Sequence, residues 1–241
     1  VAYFIWTLAN IAAFFFAMRV FGANRWLALW SYQLLALVFY GQITGLLTGG
    51  LALLWWGVSR RTWWMAGLGL TVMLTKYQFG LLGLVAVILG AGLTWRDWLH
   101  IGVWPLAVAL ASIALYGLWP LEVIERLMSH PANTYFSVSL WRWIGPWGVL
   151  AFAPLLWLPR RIDVQLIGWF AAGALGLPYF QQIDLVVLMA LPLGPLAGVG
   201  YLGFAQGVIG SEIVRVSWLI PATILILLTL THGRSGSLWR R

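Results

Sequence analysis

Residues 66–85 read AGLGLTVMLTKYQFGLLGLV, an apolar stretch that a charge interrupts once, at Lys76. Lys76 is the only lysine of the chain. A bilayer core about 30 Å thick is crossed by roughly 20 apolar residues in a helix. The stretch therefore predicts two apolar helices, near 62–75 and 78–94, with Lys76 at the polar break between them.

The composition outside this stretch is equally apolar. Hydrophobic residues make up 62% and charged residues 8% of the 241 residues, and the mean hydropathy is +0.91, whereas a soluble domain carries about 25% charged residues. The sequence predicts an all-α, polytopic transmembrane bundle of about ten helices, some short or broken, forming one domain over 1–241. The predicted helices lie near 1–18, 26–40, 43–58, 62–75, 78–94, 101–119, 147–158, 164–178, 184–201 and 213–231.

The net charge of +8 comes without a basic run or a basic helical face, so it favours membrane topology over nucleic-acid binding. Most arginines fall in alternate loops, which the positive-inside rule places in the cytoplasm. The opposite, external loops are 41–42, 76–77, 120–146 and 179–183. The tail arginines Arg234, Arg240 and Arg241 break the pattern, so either one helix is miscounted or a last helix follows Arg241.

Several chemistries have little support. The chain has no cysteine, which excludes disulfides and cysteine metal sites, and the three histidines lie far apart.

Most of the 18 tryptophans fall at predicted helix ends, as in an interfacial aromatic belt. Gly41, Gly45 and Gly49 recur at every fourth residue, a spacing that favours close helix packing. Because Val1 begins directly in an apolar segment, we expect a fragment that lacks N-terminal helices and a first external loop.

Polar residues gather at four membrane boundaries that the predicted topology places on the external side. These segments are 41–44, 75–78, the long loop 120–146 and 178–184. Within the long loop, residues 120–127 have the apolar spacing of an amphipathic surface helix. The convergence of segments from distant parts of the chain predicts a site on that side.

Two charged residues of this region have more than one interpretation. Lys76 either snorkels from a helix end to the interface or contacts an anionic lipid headgroup at the mouth of a site, because a charge at membrane depth needs a polar cavity and a partner. Asp184 either favours the N-terminus of the helix that follows it, or pairs with Lys76, or accepts a hydrogen bond from a substrate hydroxyl.

The polar segments, in this order, resemble the C-terminal two-thirds of bacterial C-type glycosyltransferases, and in particular glycosyltransferase family 87, the polyprenyl-phosphate-mannose-dependent mannosyltransferases. Gly41-Gln42 is similar to the family's Gly-Gln-x-Asn, and the stretch from Ala66-Gly67 to Lys76 resembles its Ala-Gly…Leu-Lys-Pro-Tyr-Pro. The stretches 137–146 and 178–185 resemble its Asn-Gln-Ser-Leu…Gly-Pro loop and its Pro-Tyr…Tyr-Asp-Leu segment. The chain departs from the family pattern at Thr44, Tyr77, Ser137 and Ile183, so donor and acceptor identity do not carry over.

The resemblance implies an integral-membrane hexosyltransferase of the bacterial inner membrane. It would move a mannose-like hexose, without a cofactor, from a polyprenyl-phosphate donor to a lipid or glycan acceptor on the external face. The catalytic base would lie upstream of Val1, so the fragment alone would be inactive. Lys76, with Arg142 second, would contact the lipid phosphate. The substrate-binding residues would be Gln42, Lys76, Tyr77, Gln78, Arg142, Tyr179, Gln181, Gln182 and Asp184, with no metal ligand among them.

Two other functions fit the same hydropathy. A polytopic lipid or solute transporter could use the same polar cavity, although the sequence lacks the internal symmetry that many transporters show. A non-catalytic subunit of a membrane complex is the third interpretation. An acidic residue in an upstream external loop would favour the enzyme, and an inverted repeat in the full-length chain would favour the transporter.

Overall fold

The computed structural model describes residues 1–129, 137–204 and 217–232, and this part of the chain is helical. Its one β-type pairing is an isolated antiparallel bridge between Ser137 and Gln181. The α-helices are α1 (Ala2–Phe21), α2 (Arg25–Leu29), α3 (Tyr32–Tyr40), α4 (Thr44–Ser59), α5 (Trp63–Leu74), α6 (Tyr77–Ala91), α7 (Trp95–Tyr116), α8 (Trp119–Ser129), α9 (Trp141–Ile144), α10 (Ile162–Gly176), α11 (Val186–Ala190) and α12 (Leu219–His232). Three 3₁₀ helices cover Gly145–Trp157, Gln182–Leu185 and Gly194–Tyr201.

The predicted positions of α4, α5 and α6 agree with the structure to within three residues. Three other predictions were wrong in detail. The helix expected at 26–40 is split into α2 and α3, because Ser31 caps α3 through its hydroxyl group. The helix expected at 147–158 is a 3₁₀ helix with Pro154 inside it. The helix expected at 184–201 is broken into two 3₁₀ helices around α11. The tail arginines lie outside the described residues.

The loop expected at 120–146 contains more helical structure than the sequence indicated. The amphipathic segment expected at 120–127 is α8, and it follows α7 after Gly117. The helix expected from residue 101 begins already at Trp95, where Thr94 and Asp97 form a capping box. Residues 130–136 of this loop lie outside the described part of the chain.

Two of the described helices, α1 and α7, are long and apolar enough to cross a membrane. The pair α3 and α4 passes the same test together but is bent by 118°, as a broken span or a re-entrant loop would be. Gly41 ends α3 with φ at +60°, a conformation that glycine adopts without strain. The helices α5, α6, α10 and α12 are apolar but shorter.

The helices pack along small residues. α4 lies between α1 and α5, and α10 lies between α6 and α12. Gly45 and Gly49 of α4 face Asn10 and Ala13 of α1 so closely that added Cβ atoms would lie 2.5 and 2.9 Å from them. The predicted packing role is thus confirmed for these two glycines. On the opposite side, Gly50 faces Gly69 of α5.

The packing of α4 against α5 places Lys76 at one end of this helix pair and the arginines that follow α4 at the other. Gly50 lies beside Gly69 and Gly57 lies beside Ala66, so the two helices are antiparallel and Lys76 is level with Thr44. The connection after α4 carries Arg60 and Arg61. Because 16 helical residues rise about 24 Å, this arginine end is about that far from Lys76.

Candidate functional site

Lys76 occupies the break between α5 and α6. The hydroxyl group of Thr75 donates to the carbonyl of Val72 at 2.7 Å, which closes the last turn of α5. Lys76 then adopts an extended backbone conformation and serves as the N-cap residue of α6. Its carbonyl accepts the backbone N–H of Phe79 at 2.8 Å. The break therefore directs the lysine side chain sideways, away from the axes of both helices.

The partner of Lys76 is Asp184, 108 residues further along the chain. The Nζ atom of Lys76 lies 2.6 Å from both Oδ1 and Oδ2 of Asp184. Asp184 belongs to the 3₁₀ helix Gln182–Leu185, where it completes a capping box with Gln181. Of the three interpretations of Asp184, the structure shows the pairing with Lys76, together with a local capping role.

The carboxylate of Asp184 is fully engaged. Oδ1 accepts from Lys76 and from the hydroxyl group of Thr44 at 3.1 Å, and Oδ2 accepts from Lys76 and from the backbone N–H of Gln181 at 3.0 Å. A carboxylate offers about four acceptor positions, so these four contacts fill them. Thr44 is the first residue of α4, and an anion is favourable at a helix N-terminus. In this arrangement Asp184 holds Lys76 and has no position left for a substrate hydroxyl.

Lys76 remains accessible although its partner is not. The Lys76 side chain is 25% exposed, and that of Asp184 is 2% exposed. An ammonium group has three N–H donors, and two of them point to the carboxylate. Beneath it the Phe79 ring lies 5.4 Å from Nζ and stacks on Phe180 with centroids 5.5 Å apart. The lysine side chain thus lies between a buried carboxylate and an apolar ring pair, and a quarter of it is exposed.

A segment of the long loop joins the same site. Val138 donates its N–H to the carbonyl of Phe180 at 2.8 Å, and the hydroxyl group of Ser137 donates to the same carbonyl at 3.1 Å. The backbone N–H of Leu140 donates to the carbonyl of Leu175 at 2.8 Å. All four polar segments singled out in the sequence thus meet around the Lys76–Asp184 pair.

The other predicted site residues surround this pair at different depths. Gln42 precedes Thr44 in the turn between α3 and α4 and is half-buried, as is Tyr179. Tyr77 and Gln181 are exposed, whereas Gln78 and Gln182 are buried. The Nε2 atom of Gln182 has no hydrogen-bond partner within the described residues. Arg142 is half-buried in α9, directly after the segment that pairs with Phe180.

The sequence analysis did not assign α1 to the site, yet side chains of α1 bind the turn between α3 and α4. The break leaves carbonyls of α3 and N–H groups of α4 without helical partners. Tyr3 donates its hydroxyl group to the carbonyls of Val38 and Phe39, and Trp6 donates its indole N–H to Gly41. The side chain of Asn10 accepts the N–H of Leu46 at 3.0 Å. A buried asparagine in an apolar helix is the one signal that could have indicated this role.

Within residues 1–129, 137–204 and 217–232, no group of three or more histidine, aspartate or glutamate side chains could hold a metal ion. What the site offers chemically is a fixed cation beside amide and hydroxyl groups. No protein-family model, curated protein or solved structure matches this chain. A functional assignment therefore depends on the residues themselves and on their geometry.

Proposed function

We propose that this chain is the membrane-embedded part of a glycosyltransferase that moves a mannose-like hexose from a polyprenyl-phosphate donor to a lipid or glycan acceptor. The protein would be a multi-pass component of the bacterial inner membrane, with the Lys76 site on the external face. The long apolar helices α1 and α7 support the membrane location. The resemblance of the polar segments to family 87 supports the reaction.

One observation carries the proposal: the four segments that bear the resemblance come together around a partly exposed lysine. Thr44 and Lys76 each donate a hydrogen bond to Asp184, and Ser137 joins them through Phe180 and Gln181. The meeting point is a cation, which is the group that a lipid phosphate requires.

In the proposed reaction the acceptor hydroxyl attacks the anomeric carbon of the sugar, and the bond from that carbon to the lipid phosphate breaks. Negative charge develops on the leaving phosphate, and a fixed donor stabilises it more than mobile water does. Lys76 would supply that donor, and Arg142 would be a second cation. Asp184 would orient Lys76, and the side chains of Gln42, Tyr179, Gln181 and Gln182 would contact the sugar. The proton acceptor would come from an upstream segment.

The test is glycosyl transfer from polyprenyl-phosphate sugars in membranes that contain the full-length gene product. We expect Lys76→Gln to lower the turnover number about 100-fold, the typical loss when a donor to a developing oxyanion is removed. Arg160→Gln removes an exposed charge at the opposite end of the molecule and should leave transfer unchanged. Equal transfer by wild type and Lys76→Gln, at equal protein level, would contradict the phosphate role.

A transporter is the second candidate, and the interrupted helices favour it. Both the bend between α3 and α4 and the broken segment 182–201 lie beside the charged pair. Transporters often bind substrate at such discontinuous helices. If no lipid-linked donor gives a product, and Lys76→Gln instead abolishes movement of a lipid or solute across the membrane, the transporter replaces the transferase.

A further inference from the structure

A second polar region lies at the arginine end, far from Lys76. Two cavities of about 600 and 780 Å³ open between the C-terminal ends of α1 and α4 and beside α2. They share Phe16 and Arg19 in their linings. The first also contacts Arg60 and Ser59, and the second also contacts Arg25. These two cavities are called the arginine groove below, and none of their lining residues is acidic.

The cations of the arginine groove have unused hydrogen-bonding capacity. Within the described part of the chain, the ion pairs are Lys76–Asp184 and Arg161–Asp163, so Arg19, Arg25 and Arg60 contact no carboxylate there. Arg19 and Arg60 lie at the C-terminal ends of α1 and α4, where a cation is favourable for the helix dipole, whereas Arg25 is the first residue of α2, where the dipole gives no such reason for a cation. The guanidinium of Arg60 lies 4.9 Å from the centre of the Trp56 ring. Such a guanidinium is shaped to bind phosphate oxygens.

The walls of the groove continue into apolar surface. Phe15 and Phe16 lie one turn before Arg19 on α1, and Phe15 is exposed. α1 is long and apolar enough to cross a membrane, so this surface faces the depth at which acyl chains lie. A ligand that contacts both the arginines and the adjacent apolar surface is anionic at one end and apolar along the rest. Basic pockets between helices on the cytoplasmic side are known to bind anionic headgroups.

We propose that the arginine groove binds an anionic phospholipid, with its phosphate between Arg19 and Arg60 and its acyl chains along Phe15, Phe16 and Val20. Arg25 would contact the headgroup from the α2 side, and the hydroxyl group of Ser59 could donate to it. The bound lipid would fasten the C-terminal ends of α1 and α4 together at the end opposite the Lys76 site. The proposal needs a membrane location but no glycosyl transfer.

The experiment titrates the purified protein, in detergent, with phosphatidylglycerol and with phosphatidylcholine of the same acyl chains, and counts bound lipids by native mass spectrometry. We expect wild type to prefer phosphatidylglycerol. Each arginine near an anionic headgroup contributes about fivefold in affinity, so Arg19→Gln/Arg60→Gln should weaken phosphatidylglycerol binding by about 25-fold. Phosphatidylcholine binding should change little.

The matched control is Arg160→Gln, which removes an exposed positive charge near the same end. This variant should keep the wild-type preference, and circular dichroism should show unchanged helix content in all variants. An equal loss in Arg160→Gln would mean that only overall charge attracts the lipid, and would overturn the site. Equal binding of the two lipids by wild type would overturn it as well. None of these results depends on whether the protein transfers a sugar.

Discussion

Lys76 and Asp184 form one ion pair but reach water to very different extents, 25% and 2% exposed. Removing one partner of a buried pair leaves an uncompensated charge, whereas a charge that reaches water is solvated. Removing the lysine should therefore lower the stability of the protein more than removing the charge of the carboxylate. The difference between the two costs can be measured as a difference in the free energy of unfolding.

We expect Lys76→Met to lower the free energy of unfolding by about 3 kcal/mol, because it leaves the Asp184 carboxylate buried without a cation. Asp184→Asn keeps the shape of the side chain and leaves a lysine that water can solvate, so its cost should be about 1 kcal/mol. Reversible unfolding in mixed detergent micelles measures both values.

The double variant Lys76→Met/Asp184→Asn completes this comparison. It removes both charges, so it should be more stable than Lys76→Met alone. If the two single variants cost the same and the double variant costs their sum, the two residues do not act as a pair.

At the residue scale, the sequence indicated the charged residues but not all of their contacts. The pairing of Lys76 with Asp184 was one of three interpretations, since a charge in an apolar stretch needs a partner. Thr44 was noted as the end of the polar segment 41–44 and as a departure from the family pattern, but not as the residue that donates a hydrogen bond to Asp184 across 140 residues of sequence. A contact between segments so far apart depends on the packing of α4, which no local pattern determines.

Among the elements, the break between α3 and α4 depends on its contact with α1. Asn10 and Gly45 bring the two helices together: the backbone oxygen of Asn10 lies 2.5 Å from where a Cβ on Gly45 would be. The same asparagine accepts the N–H of Leu46. A separation of α1 from α4 would thus disturb the turn that carries Thr44.

We expect Gly45→Ala to destabilise the protein by about 1–3 kcal/mol, the usual cost of adding a methyl group to a closely packed contact. Gly102→Ala in α7 is the matched control, because nothing lies within 4 Å of the added Cβ atom. There the better helix propensity of alanine should raise stability by up to about 1 kcal/mol. Thermal unfolding of the two variants beside wild type gives the comparison, and a loss of similar size in both would contradict the packing role of Gly45.

Element boundaries could be predicted where the sequence contains clear signals, and not elsewhere. The polar residues at Arg60 and Lys76 mark the ends of α4, α5 and α6. Pro154 and Pro195 lie within segments that adopt 3₁₀ geometry, which hydropathy does not distinguish from an α-helix. The early start of α7 followed from a capping box at Thr94 and Asp97, a short motif that the hydropathy pattern conceals.

Across the whole molecule, the charges separate into two ends. The Lys76–Asp184 pair lies at one end of α4 and α5, and Arg19, Arg60 and the arginine groove lie at the other. The positive-inside rule assigns the arginine end to the cytoplasm. In the proposed membrane setting, the Lys76 site would then face outward, where a lipid-linked sugar would be used.

This orientation can be tested because the chain has no cysteine. We expect Tyr77→Cys, at an exposed position beside Lys76, to react with a membrane-impermeant maleimide in intact cells. Arg160→Cys, exposed near the opposite end, should react only after the membrane is opened. Reaction of both variants in intact cells, or protection of both, would contradict the proposed topology.

The central claim is that Lys76 holds the phosphate of a polyprenyl-phosphate lipid. The most direct measurement compares the affinity of the purified protein for polyprenyl phosphate with that for the uncharged polyprenol. An Arg19→Gln/Arg60→Gln background keeps the arginine groove from contributing. We expect phosphate to be preferred by about tenfold, the effect of roughly 1.4 kcal/mol, and Lys76→Gln to remove that preference. A preference that persists in Lys76→Gln would mean that Lys76 does not bind the phosphate.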